Sequence, residues 1–340
     1  MRKYWIDYLR CIAIVAVIII HSTTPFYARF NEIGQLDWWF ANVLNSASRF
    51  AVPLFVMISG ALLLGRNLTI AEFYKKRAVR LLPALIVWNL FYFSLKVYRG
   101  EGSETLVGYL IKSFFTGGAA VHLWYLSMFV CLMLFTPFLN KFINGDRATP
   151  GDLRTLLVFL FFFFLLNGIA SVAWEIWDIE TIWFRVFPWY MAYFVGGYYI
   201  DRYSDSISIK SGFILLVLVF LILAGAALNY YFITAYKIVE DNLIFTNTGP
   251  MIFLMTIIIF LLAKRNTGVL KKNKYIASVS EASFGMYLIH PVFLHLLEER
   301  LPMYFSNALI SIPLTICFTT LASFYSIIFL RRFSFMKKIS

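Results

Sequence analysis

The chain has 340 residues, 61% of them hydrophobic and 14% charged, with a formal net charge of +12. Soluble domains are typically about 45–50% apolar and about 25% charged, and a domain of this length still exposes about a quarter of its chain surface to water. A soluble globule is therefore excluded. The positive charge does not indicate a nucleic-acid partner, because the basic residues fall in short clusters between apolar runs, the pattern of membrane topology signals.

A membrane span needs about 20 predominantly apolar residues. Ten stretches qualify in chain order: 8–25, 47–65, 81–98, 121–140, 155–173, 183–200, 212–232, 248–263, 283–299 and 307–330. With the N-terminus cytoplasmic, 22 of the 30 lysines and arginines lie at or between cytoplasmic ends. This bias supports ten spans with both termini inside, since an odd count would scramble it. The expected fold is all-α: a polytopic bundle of about ten transmembrane helices, with residues 1–340 forming one membrane-embedded domain and no soluble domain. The segment 105–117 reads as a re-entrant or interfacial helix. The two halves show no convincing inverted repeat, which weakens a secondary-transporter reading. No cleavable signal peptide is expected. Cys11, Cys131 and Cys317 are too scattered for a disulfide framework or metal site and read as small buried hydrophobes.

Arg10 and His21 lie in the first span, 11 residues apart. That spacing is about 20° past a whole number of turns, with a rise of about 16 Å, so both occupy one helix face. Ionisable groups at such depth are costly and usually face a cavity or partner, and a histidine there is suited to general-base chemistry. Boundary anchoring accounts for the pair equally well on spacing alone. In the second span, Arg49 to Gly60 contains Pro53 and the Ser59–Gly60 pair, which interrupt the helix as a cavity-lining or kinked packing segment does. Arg77 and Arg80 share a helix face before the third span. Two guanidiniums so placed suit a phosphorylated ligand, although a positive-inside anchor has the same pattern.

His122-Leu-Trp124-Tyr125 opens the fourth span, where an aromatic belt is the ordinary explanation. Ser283-Phe-Gly285-Met-Tyr287-Leu-Ile-His290-Pro291 opens the ninth, with His295 slightly more than a turn beyond His290. Each histidine alone is more often a satisfied core or interface residue than a catalyst. All four of the chain's histidines, however, lie in or beside spans, and their spacing is not that of a metal site.

Together these elements resemble the acyltransferase 3 family of membrane-bound O-acyltransferases. The likeness rests on Arg10-x10-His21, Val52-Pro-Leu-Phe-x3-Ser59-Gly60, Arg77-x-x-Arg80, His122-x-Trp124-Tyr125 and Gly285-x-Tyr287-x-x-His290, in family order along nearly the whole chain. The stretches 41–49 and 249–253 are similar to the family's enterobacterial common antigen O-acetyltransferases. The resemblance implies acetyl-CoA as donor, with no metal. It implies a hydroxyl of an envelope polysaccharide or lipid-linked sugar as acceptor, and residence among the lipids of a bacterial inner membrane. It casts His21 and Arg10 as catalytic and Arg77 and Arg80 as coenzyme A ligands. Ser59, His122, Trp124, Tyr125, Tyr287 and His290 become acceptor-site residues. Whether His21 deprotonates the acceptor or carries the acetyl group is open, and no carboxylate partner for it stands out among Asp37, Glu175 and Asp178. A transporter of a lipid-linked sugar or envelope polymer is the alternative. A scaffold protein, in which Arg10 and His21 tolerate substitution, is a third reading.

Overall fold

A computed structural model describes residues 2–100, 105–107, 120–145, 150, 154, 157–158, 161, 164–165, 187–206, 210–237, 246–300 and 307–339. Among these residues the ordered elements are helices: α1 (Tyr4–Tyr27), α2 (Gln35–Ser48), α3 (Ala51–Leu63), α4 (Ile70–Tyr98), α5 (Trp124–Asn144), α6 (Phe187–Tyr203), α7 (Ser211–Tyr236), α8 (Pro250–Arg265), α9 (Lys274–Arg300), α10 (Ala308–Leu330) and the short α11 (Met336–Ile339). Among the described residues six runs are long and apolar enough to cross a membrane: α1, the combined α2–α3 run Gln35–Leu63, α4, α5, α7 and α10. The chain is thus a multi-pass helical membrane protein. The expected spans 183–200, 248–263 and 283–299 coincide with α6, α8 and α9, which are shorter or more polar than the six. The expected span 155–173 and the segment 105–117 lie mostly outside the described residues.

Two helices begin earlier than hydropathy suggests, and both have a local cause. Thr69 caps α4: its hydroxyl accepts from the Glu72 amide at 3.2 Å while the Glu72 carboxylate accepts from the Thr69 amide at 3.0 Å. This reciprocal cap satisfies two of the amides that a helix start leaves unpaired, and so the polar turns carrying Arg77 and Arg80 are helical. Asn273 does the same for α9, its side-chain oxygen accepting from the Tyr275 amide at 2.9 Å. The α2–α3 run breaks at Arg49–Phe50. Pro53, four residues on, has no amide to donate to the Arg49 carbonyl, so that carbonyl lacks its helical partner at the break.

Helix α1 is the centre of the bundle, packed by α2, α3, α8, α9 and α10. Its core side chains include Leu9, Ala13, Ile14, Val17 and Ile18, all essentially buried. Helices α3 and α6 approach backbone to backbone. A Cβ at Gly60 would stand 1.7 Å from the Phe194 carbonyl oxygen, and one at Gly197 would stand 2.0 Å from that of Met57. Small residues that let helix backbones meet are a recurrent device of membrane bundles. In contrast, α7 and α10 keep rows of large apolar side chains exposed, including Phe213, Leu216, Phe220, Leu314, Leu321 and Tyr325, as lipid-facing helices do. Cys317 belongs to that outer face rather than to the core expected for it.

A buried amide seam ties α2 to α7. Asn42 donates to the Ala226 carbonyl at 2.9 Å and accepts from Asn229 at 2.9 Å. Asn45 donates to the Thr23 hydroxyl of α1 at 2.9 Å. At the basic end of the bundle, Arg2 bonds Asp7 at 2.8 Å and Glu281 at 2.7 Å. The two carboxylates raise the Arg2 guanidinium above its ordinary value. Ser280 donates to Asp7 at 2.7 Å, and Arg331 donates to the Glu281 carbonyl at 2.7 Å. These contacts pin the ends of α1, α9 and α10 together.

Candidate active site

Three of the chain's histidines meet inside the bundle. His21 comes from α1, His122 from the 3-10 turn Val121–Leu123 ahead of α5, and His290 from α9. The rings of His21 and His290 are 5.1 Å apart, centre to centre, and those of His122 and His290 are 5.4 Å apart. His122 and His290 are 3% and 0% exposed. His21 as a residue is half-buried.

Hydrogen bonds set the tautomers. Pro291 lacks an amide hydrogen, so the Tyr287 carbonyl loses the helical partner it would have in α9. His290 takes that carbonyl through Nδ1 at 2.7 Å. A carbonyl oxygen only accepts, so Nδ1 carries the proton and the neutral ring keeps its lone pair on Nε2. That Nε2 is buried without a hydrogen-bond partner among the described residues. His122 has the opposite arrangement: its Nε2 donates to the Leu288 carbonyl at 3.3 Å, leaving its lone pair on Nδ1. Leu288 O also accepts from Tyr92 at 2.7 Å, and the Tyr92 ring lies edge-on to His122 at 5.1 Å. Tyr287 returns a hydrogen bond from its hydroxyl to the His122 carbonyl. The turn bearing His122 is thus held to α9 in both directions.

Aromatic rings extend the group toward the basic end. Tyr125 lies 5.3 Å from Tyr287 and is stacked on Phe129 at 5.6 Å. Trp124 faces Tyr190 at 5.7 Å. Tyr125 stands within electrostatic reach of Arg10, so side chains of α5 and α9 connect the two residues of α1 across their three turns of separation. Ser59 donates its hydroxyl to the Phe55 carbonyl at 2.8 Å. Its tie to the site is indirect, through the Phe55 ring 6.5 Å from Tyr287.

The arginines gather at the other end. Arg80 is within electrostatic reach of Arg10, Arg77 and Arg331, and Arg77 also senses Arg66. Arg77 lies over the Phe73 ring at 5.6 Å, and its buried Nε has no hydrogen-bond partner among the described residues. An orphaned guanidinium N–H among like charges is a ready anion site, because a phosphate oxygen would satisfy the donor and relieve the repulsion together.

The expected site residues therefore separate into two groups, each with one member on α1: His21 with His122, Tyr287 and His290 at one level, and Arg10 with Arg77 and Arg80 at the other. His295 stands at the edge of the histidine group, half exposed, 3.4 Å from Glu298 and within electrostatic reach of His21 and His122. Asp37 is engaged elsewhere, its carboxylate accepting from the Ala308 amide at the start of α10 at 2.8 Å. Glu175 and Asp178 lie outside the described residues. Among the described residues, Glu298, Arg49 and His295 are within electrostatic reach of His21; Arg49 donates to Asn45 at 2.6 Å. Glu298, Tyr92 and Asn45 were not singled out by sequence reading. Among the described residues no group of three or more His, Cys, Asp or Glu side chains is arranged to hold a metal ion.

No curated protein and no solved structure matches the chain. A profile of the acyltransferase 3 family, described as an acyltransferase domain, matches residues 3–331, a span that contains both groups. The chain belongs to the acyltransferase 3 family.

Proposed function

We propose that the protein is an O-acetyltransferase of the bacterial inner membrane that moves an acetyl group from cytoplasmic acetyl-CoA to a hydroxyl of an envelope polysaccharide sugar. The acceptor proposed is enterobacterial common antigen, as polymer or as its lipid-linked precursor. The observation that carries this reading is the division of the site along α1, with a group of arginines, one of them with an orphaned Nε, at one end and a group of histidines some three turns away.

Arg77 and Arg80 hold the phosphates of coenzyme A, and Arg10 steadies the thioester arm. The acetyl group is delivered along α1 to His21, where donor and acceptor converge. His122, Trp124, Tyr125, Tyr287 and His290, with Ser59 behind Phe55, shape the acceptor pocket. Aromatic rings suit the apolar faces of sugars, and the histidine nitrogens suit their hydroxyls. No step calls on a metal.

Mass spectrometry of envelope polysaccharides from cells with and without the gene tests the reading. O-acetyl groups present only with the gene support it; identical acetylation in both sets contradicts it. A transporter of the same lipid-linked sugar has no use for coenzyme A, so saturable binding of acetyl-CoA by the purified protein separates the two.

A further inference from the structure

We infer that His290 is a catalytic base for the acceptor half of the reaction, rather than only a lining residue of the acceptor pocket. The inference rests on the acetyl-transfer reading above. It starts from the Pro291 lesion in α9. The proline strips the Tyr287 carbonyl of its amide partner, His290 Nδ1 fills that place at 2.7 Å, and the ring is thereby fixed with its lone pair on Nε2. This nitrogen is buried and has no hydrogen-bond partner among the described residues, on a ring 5.1 Å from that of His21. An unsatisfied buried acceptor costs free energy, and here it is held in place by a helix defect in the wall of an acyl-transfer site. A locked base on a ring beside that of the reacting residue is the arrangement that explains both features.

The chemistry then divides between the two histidines. A His21 nitrogen attacks the thioester carbonyl carbon; a C–N bond forms, the C–S bond breaks, and the thiolate leaves with the proton that the His21 ring gives up. An acetylated imidazole is a poor base, since the acyl group withdraws the ring's electrons. The acceptor hydroxyl therefore needs another group to take its proton. As its oxygen bonds to the acetyl carbon and the C–N bond breaks, His290 Nε2 accepts the hydroxyl proton and passes it to the departing His21 nitrogen. Acetyl-CoA and alcohol become coenzyme A and acetyl ester, and both histidines return to their starting state.

Three preparations of the full chain in lipid nanodiscs test this: unchanged, His290→Asn and Pro291→Ala. The asparagine amide donates to the Tyr287 carbonyl but supplies no base. With [14C]acetyl-CoA and acceptor, H290N is expected to lose about 10²–10⁴-fold in steady turnover, while releasing coenzyme A in an initial burst and retaining label on its own chain at His21. P291A restores an amide to compete for the Tyr287 carbonyl, and its expected loss is about tenfold or more. Nitrogen NMR of histidine-labelled protein, simplified by a total of four histidines, is expected to place the His290 proton on Nδ1 in the unchanged chain and to show mixed tautomers in P291A. Unimpaired turnover of H290N, loss without burst or retained label, a defect confined to the KM for acceptor, or a His290 proton on Nε2 in the unchanged chain each overturns the inference. Should H290N not fold, P291A carries the test, and unimpaired turnover there overturns it. An unchanged chain that transfers no acetyl removes the acetyl-transfer reading and this inference with it; an active unchanged chain with an unimpaired H290N removes the inference alone.

Discussion

The rings of His21 and His290 stand 5.1 Å apart although they come from opposite ends of the chain. Each lies beside an intrahelical proline. Pro25 follows His21 by four residues in α1 as Pro291 follows Tyr287 in α9, and each proline withholds an amide from a carbonyl in the site. The two helices that carry the reacting histidines are therefore weakened where the chemistry is placed, a cost that a membrane helix tolerates only when neighbouring groups satisfy the backbone again.

The arginine group makes the first prediction. Charge-assisted hydrogen bonds contribute about 1.5–3 kcal/mol each, so Arg77→Ala and Arg80→Ala should each weaken acetyl-CoA binding about tenfold or more by isothermal titration, with the fold intact. Arg77→Lys should recover little, because lysine presents a point charge in place of the guanidinium fork. Unchanged affinity in both alanine variants would remove these residues from the donor site.

The α3–α6 contact makes the second. A methyl group at Gly60 or Gly197 meets a backbone carbonyl, which cannot swing aside as a flexible side chain does. Overpacking of this kind costs about 1–3 kcal/mol or more, so Gly60→Ala and Gly197→Ala should lower the thermal unfolding temperature in detergent. Gly212→Ala, where nothing lies within 4 Å of the added carbon, should leave it unmoved. Equal melting of all three would show that the helices do not pack this closely.

The amide seam makes the third. Replacing Asn229 with Leu leaves the buried Asn42 oxygen without its donor, at a cost of about 1–3 kcal/mol. The double variant Asn42→Leu, Asn229→Leu should cost less than the sum of the single changes, since the two share one hydrogen bond. Additive losses in unfolding assays would mean that the pair is not coupled.

Much of this was legible in the chain itself. The 11-residue spacing of Arg10 and His21 puts both on one face of α1, and the bundle keeps the arginine with Arg80 and the histidine with His290. The Thr69-x-x-Glu72 cap was also readable and would have placed the start of α4, but a hydropathy window passes over a helix turn made of Glu, Lys and Arg. Tyr92 was not readable. It is one of 20 tyrosines, and only its packing on His122 and its bond to the Leu288 carbonyl single it out. Glu298 and Arg49 reach His21 from helices distant in sequence, and their proximity depends on how α9 and the α2–α3 break pack around α1. Periodicity within single helices carries no record of that.

The account turns on His21. The direct test is transfer of label from [14C]acetyl-CoA to envelope polysaccharide by the purified chain in nanodiscs, compared with His21→Ala prepared in the same way. The unchanged chain is predicted to label the polysaccharide. The variant is predicted to bind acetyl-CoA normally and to transfer about 10²–10⁴-fold more slowly. Equal transfer by the two proteins would contradict the assignment of His21 as the residue where donor and acceptor meet.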